Sequence, residues 1–219
     1  MASKTKVQYV CTECGFESAK WYGKCPSCNA WNTMEEEVRN TTTTAKRIHS
    51  AVGSGIIAKP VGLHEIDSTE EQRYHTGLSE LDRVLGGGLV KGSLVLISGD
   101  PGIGKSTILL QICQYMGNTL KILYVSGEES VKQIKLRASR LGVTSDNLSL
   151  MAETDIQAIL EQVRVVKPDI LIVDSIQTMN HTDITSSPGS ITQVRECTNA
   201  IMHTAKDLEI PALVVGHVN

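Results

Sequence analysis

The sequence predicts an α/β fold on a parallel sheet, preceded by a small metal-held module. Three observations predict it. From residue 93 onward, short aliphatic runs alternate with segments of helical period, the pattern of strands joined by crossover helices. Between the first such strand and the next helix lies Gly99-Asp100-Pro101-Gly102-Ile103-Gly104-Lys105-Ser106-Thr107, a complete Gly-x-x-x-x-Gly-Lys-Ser phosphate loop. Four of the six cysteines, Cys11, Cys14, Cys25 and Cys28, form two Cys-x-x-Cys pairs separated by ten residues. The 219 residues hold one full-sized domain with an appendage, and 41% hydrophobic content with few aromatics favours an aliphatic α/β core over a β-sandwich. A net charge of −3 argues against nucleic-acid binding by bulk charge and leaves room for a local basic site. No apolar run approaches the roughly 20 residues that span a bilayer. The N-terminus lacks the apolar core of a secretory signal, so a cytoplasmic location without a membrane partner is expected.

Residues 1–34 form the first unit. In a reducing compartment, paired Cys-x-x-Cys elements read as zinc knuckles rather than disulfides, and two pairs argue against a redox-active dithiol. Gly15 after the second cysteine and Asn29 after the fourth suit the left-handed turn of a knuckle. Four thiolates close the coordination sphere, so the zinc is structural and supplies the folding energy that so short a segment cannot draw from an apolar core. Trp21 and Trp31, the chain's only tryptophans, both lie here. A small core over the metal is the preferred reading for them; a stacking surface for bases or a partner is the other. Residues 35–60, with Glu35-Glu36-Glu37, a threonine run and Gly53-Ser54-Gly55, show no period and read as a linker.

The second unit is expected over 61–219. A short strand is expected at Val61–Ile66 and a helix over Thr76–Leu85, with apolar residues at 78, 81, 84 and 85, stopped by Gly86-Gly87-Gly88. Ser93–Ile97 reads as a buried strand, Thr107–Met116 as the helix after the phosphate loop. Strands follow at Lys121–Ser126, Leu148–Met151, Ile170–Val173 and Ala212–Val215. Helices are expected at Ser130–Leu141, Asp155–Val166 and Ile191–Leu208. Asn219 follows the last strand almost at once, which suggests a fragment or a sheet incomplete on one side.

The phosphate loop predicts a nucleoside-triphosphate site: backbone N–H groups and a helix N-terminus cradle the phosphates, Lys105 reaches the outer ones, and the Ser106 hydroxyl holds magnesium. Asp174 closes the apolar strand Ile170–Val173 and is placed to join the magnesium shell. Glu128 and Glu129 follow a strand where an open α/β sheet faces its ligand. Glu128 is the preferred general base for hydrolysis, with Glu129 in reserve; alternatively both cap the next helix. His217, just past the last strand, is a candidate sensor of the γ-phosphate or simply a structural histidine. Cys113 and Cys197 read as core residues.

Taken together, these segments resemble a known family. The cysteine module with Trp21, Gly23-Lys24-Cys25-Pro26 and Trp31-Asn32 is similar to the N-terminal zinc finger of the bacterial RadA (Sms) family. Thr76-Gly77, Leu81–Gly88, Gly92-Ser93, the phosphate loop, Ser126–Ser130, Ser187–Ser190 and Gln193–Thr198 resemble its RecA-like ATPase core. The resemblance covers nearly the whole chain apart from the linker. It implies a zinc ribbon and a C-terminally truncated RecA-like P-loop core with a parallel sheet. It further implies an ATP- and magnesium-dependent DNA motor in recombinational repair, promoting branch migration, related to hexameric DnaB-type helicases and working beside RecA recombinase. By resemblance Glu128 is the catalytic glutamate, His217 stands for a γ-phosphate-sensing glutamine, and residues 178–190 are the first DNA-facing loop, whose tip His181–Ser190 holds no lysine or arginine. A second DNA loop, a Lys-Asn-Arg-Phe-Gly motif and a Lon-protease-like domain would follow residue 219, so weak hydrolysis and no motor activity are expected of this stretch alone. The rival readings are a KaiC-like regulatory ATPase, which DNA-stimulated hydrolysis would distinguish, and a non-catalytic nucleotide-binding adaptor.

Overall fold

The computed structural model describes residues 5–40, 61–65 and 73–217. The first unit is a three-stranded antiparallel ribbon: β1 (Thr5–Cys11) at the centre, β2 (Glu17–Ser18) on one side and β3 (Met34–Asn40) on the other. β1 and β3 pair without interruption from Cys11↔Met34 to Thr5↔Asn40. Residues 35–40, expected as the start of a linker, therefore belong to the ribbon. Glu35-Glu36-Glu37 looks like a solvated charge run, but its backbone still completes the ladder while the Glu35 and Glu36 side chains stay exposed. The rest of the expected linker, 41–60, lies outside the described residues.

The expected strand at 61–66 is instead a 3-10 turn, Leu63–Glu65, closed by the Glu65 N–H donating to the Gly62 carbonyl at 2.9 Å; Ile66 lies outside the described residues. A two-stranded hairpin follows, β4 (Arg73–Tyr74) against β5 (Leu89–Val90), enclosing α1 (Ser79–Val84). This helix starts three residues later than expected. Thr76 ahead of it is buried, and its N–H and hydroxyl both bond to Asp82 Oδ1, at 2.9 and 2.8 Å, which sets the entry to the helix.

The main sheet has five parallel strands in the order β6 (Leu94–Gly99), β10 (Ala212–His217), β9 (Ile170–Asp174), β7 (Ile122–Ser126), β8 (Leu148–Ala152). Between them run α2 (Lys105–Met116), α3 (Val131–Arg140), α4 (Ile156–Val166) and α5 (Ile191–Asp207). The period of two along each strand divides the core into two layers. Leu123, Val125, Leu171, Val173, Ala212 and Val214 face α4 and α5. Ile122, Tyr124, Ile170, Ile172, Leu213 and Val215 face α2 and α3. Burial on both faces is why the central strands read as continuous apolar runs. β6 departs from that expectation: among the described residues it pairs only with β10, and Leu96 is 59% exposed. No helix among the described residues is long and apolar enough to cross a membrane.

Candidate functional site

Register brings the phosphate loop and the other candidate residues to one edge. Gly99 lies opposite His217, and Ser126 opposite Asp174, so β6, β10, β9 and β7 end side by side at their carboxyl ends. An open α/β sheet holds ligands at that edge.

The loop leaves β6 at Gly99 and enters α2 at Lys105. Asp100 accepts a backbone bond from Ile103 at 3.4 Å, while Pro101 and Ile103 form an exposed tip. Gly102 and Gly104 hold φ of +79° and +104°, a region side chains disfavour, and a Cβ at either would meet nothing within 4 Å. Space is therefore open beside both glycines. Gly104 caps α2 without a side chain, so the first-turn N–H groups of Lys105, Ser106 and Thr107 have no intrahelical acceptor and are available to a ligand. Lys105 is buried, and its Nζ donates to the carbonyls of Gly99 (2.6 Å) and Asp100 (2.9 Å). The arrangement fits a polyphosphate: open space, oriented donors and one buried cation converge on it.

His217 ties this loop to the opposite side of the site. Its Nδ1 lies 3.2 Å from Lys105 Nζ and its Nε2 3.5 Å from Glu128 Oε1. Glu128 also accepts from the Ser175 hydroxyl at 2.8 Å. Glu129 turns away and pairs with Arg137 on α3, while Ser130 and Gln133 cap α3 by a reciprocal capping box. Of the two acids, Glu128 alone faces the loop; neither acts as the cap. Asp174 accepts from the Tyr124 hydroxyl at 2.7 Å. Burial, and then the Asp174 charge, push the Tyr124 phenol far up, so it stays a donor. Gly127 lets the turns after β7 and β9 meet, because a Cβ there would lie 2.1 Å from Thr178 Oγ1. Tyr124 and Ser175 carried no signal in the sequence. Tyr124 reads as a core strand residue, and Ser175 as an ordinary serine after an acid.

Beyond Ser175 the chain runs through a 3-10 turn, Ile176–Thr178, into residues 179–190. Gln177 Nε2 donates to the His217 carbonyl at 3.3 Å. Buried Gln193 shapes the following loop: its Nε2 reaches the carbonyls of His181, Ile184 and Ser186 at 3.3, 3.2 and 3.0 Å, and its Oε1 accepts from the His181 N–H at 2.8 Å. The ribbon rests beside this loop. Glu17 pairs with Arg195, and Ile191 lies 3.0 Å from the position a Cβ on Gly15 would occupy.

In the ribbon, the sulfurs of Cys11, Cys14, Cys25 and Cys28 all lie within 4.8 Å of one another, with Cys11–Cys28 at 3.7 Å and Cys14–Cys25 at 3.6 Å. Tetrahedral zinc with bonds of about 2.3 Å separates its sulfurs by about 3.8 Å, so the four thiols fit that ion. Burial opposes ionisation of Cys11, but hydrogen bonding to Thr33 and to the backbone of Glu13 and Cys14 holds its thiol down to about 6. At Cys28 the backbone of Ala30 favours the thiolate; burial and the other cysteines override it and push the thiol up to about 12. Four sulfurs this close crowd their protons together, which a cation relieves.

Comparison with known proteins agrees with this geometry. The profile of the AAA domain family matches residues 60–219, and that of the rubredoxin metal binding domain matches residues 9–36. The chain is 51% identical over 217 residues to DNA repair protein RadA of Bacillus subtilis. It is 50% identical over 217 residues to DNA repair protein RadA of Halalkalibacterium halodurans, and 50% identical over 218 residues to that of Listeria monocytogenes. Each alignment takes in 99% of this chain and 47% of the relative, so the chain spans about half the length of the curated relatives it matches. The RadA resemblance read from the motifs is thereby shown. A zinc ribbon therefore precedes a nucleotide-type sheet domain here, and the chain belongs to the AAA domain family.

Proposed function

We propose that this chain is the nucleotide-hydrolysing part of a RadA-type DNA repair ATPase. The observation that carries the reading is His217, standing between Lys105 and Glu128. A group that touches both the phosphate-loop cation and the candidate base can respond to the presence of a γ-phosphate. In this reading, Lys105 and the N–H groups of residues 102–107 bind the phosphates of ATP. Ser106 and Asp174 would hold magnesium, which supplies charge neutralisation when bound. Glu128 orients the attacking water and takes its proton, and Ser175 fixes the carboxylate that does so. Gln177 links His217 to the start of the loop at 178–190, which we assign to DNA. That loop offers hydroxyls and backbone N–H groups rather than cations, which suits phosphate contact without sequence readout. Branch migration, RecA recombinase as partner, a homohexamer and a cytoplasmic location belong to the same proposal, supported by the RadA relatives.

The test is single-turnover ATP hydrolysis with protein in excess, with and without single-stranded DNA, beside a Lys105→Ala control. Slow magnesium-dependent hydrolysis that DNA accelerates only weakly, and that the control lacks, is expected. Equal rates in the wild type and the control would overturn the assignment of the site.

A further inference from the structure

The two tryptophans do not form the small core that their position in the ribbon suggested. That core consists of Cys11, Cys25 and Met34, with Tyr9 and Phe16 packed against it. Trp21 and Trp31 are instead 55% and 69% exposed, and Tyr22 between them in sequence is 40% exposed. Large rings left outside a small unit that has few apolar residues to spare call for a reason.

Their presentation is rigid. The second knuckle pairs Lys24 with Trp31 in an antiparallel bridge, and the Asn32 N–H donates to the Gly23 carbonyl at 2.8 Å. Trp21 Nε1 donates to the Met34 carbonyl at 3.1 Å, which fixes the polar edge of the indole while much of the ring stays in water. Lys24 Nζ sits 5.7 Å from the centroid of Trp31, covering one face with a cation and leaving the other open. From Ser18 to Thr33 the chain has Lys20 and Lys24 and no acidic residue. The ribbon faces the sheet domain with Gly15, Glu17 and the ends of β1 and β3, and the exposed rings of the knuckle take no part in that contact.

We propose that this knuckle is a base-stacking surface for single-stranded nucleic acid. Planar rings held by the backbone, interleaved with lysines and free of acids, match what a single strand requires: faces for its bases and cations for its phosphates. The surface is separate from the loop at 178–190 and extends the nucleic-acid reading above to a second site.

Both tryptophans of the chain lie in the knuckle, so intrinsic tryptophan emission reports on this surface alone. The zinc-loaded full chain is titrated with a short oligothymidylate, following tryptophan emission and, in parallel, the anisotropy of a labelled oligonucleotide. Saturable quenching that weakens with added salt is expected. Lys20→Glu with Lys24→Glu should shift the quenching midpoint about ten-fold or more upward. Trp21→Ala with Trp31→Ala should weaken the anisotropy isotherm about ten-fold or more. Zinc content per chain and Trp→Phe variants, which keep a stacking ring, control for folding. Binding by anisotropy with unchanged emission overturns this inference and leaves the proposed ATPase standing. Quenching without any effect of DNA on ATP hydrolysis upholds the surface and removes the DNA dependence proposed above. Emission unmoved by oligonucleotide overturns the inference whether or not a protein partner shifts the band.

Discussion

Lys105 and Glu128 occupy opposite walls of one site, and their substitution should separate binding from chemistry. Lys105→Ala removes the buried cation that meets the phosphates, so ATP affinity should collapse, as read by a fluorescent ATP analogue. Glu128→Gln keeps the cradle and deletes the base. Affinity should hold while single-turnover hydrolysis slows by about 10²–10⁴-fold. Equal loss of affinity in both variants would falsify the division of roles. The cysteines divide as sharply. Burial pushes the Cys113 and Cys197 thiols up to about 12 and 11, which keeps them protonated and unreactive at neutral pH. The four ribbon cysteines form no disulfide and converge on the one metal they would share. Thiol titration of the native chain should therefore find few reactive groups before chelation. Four should appear promptly after it, with Cys113 and Cys197 reacting only in denaturant.

At the scale of elements, α3 owes its start to a reciprocal cap between Ser130 and Gln133, and that start sits directly after Glu128 and Glu129. Ser130→Ala should cost about 1 kcal/mol of stability in urea denaturation, the usual value of an N-cap. The helices and central strands were legible in the sequence because buried faces impose a period, as in Ile170–Val173. The phosphate loop, Asp174 and Glu128 were legible because each lies at the end of a readable strand. What failed was whatever depends on a distant partner. β3 reads as a charged linker, since Glu35 and Glu36 are exposed and the strand is tied to β1 by its backbone ladder. β4 and β5 are two residues each, too short for any period. Tyr124 joins the site because Ser126 lies opposite Asp174, which places Tyr124 diagonally within reach of that carboxylate. Gln193 holds a loop by bonds that span up to twelve residues, and no local pattern announces them. The tryptophans misled for another reason: so small a ribbon suggested little else to pack, but Cys11, Cys25 and Met34 with Tyr9 and Phe16 supply its core.

Across the whole molecule, the ribbon and the sheet domain have separate cores. Cys11, Cys25 and Met34 hold one, and the two layers about the sheet hold the other. Their contact includes Glu17 with Arg195 at the surface and Gly15 against Ile191, and Thr12 and Glu35 face Ser186 and Thr192 across a small cavity. An ion pair with side chains about a third to half exposed contributes at most about 1 kcal/mol, too little to couple the two units. The ribbon depends instead on its metal, since structural zinc can contribute roughly 10–16 kcal/mol to the folding of so small a unit. Chelation should thus remove the ribbon alone. As a chromophoric chelator takes up the zinc, proteolysis should open sites within residues 5–40, and the Trp21 indole should lose its bond to the Met34 carbonyl, red-shifting emission. The far-ultraviolet helix signal and the binding of a fluorescent ATP analogue should persist, because α2 and the phosphate loop draw nothing from the ribbon. Loss of ATP binding in step with zinc release would show instead that the ribbon holds the 178–190 loop, and through Gln177 and His217 the phosphate site, in place.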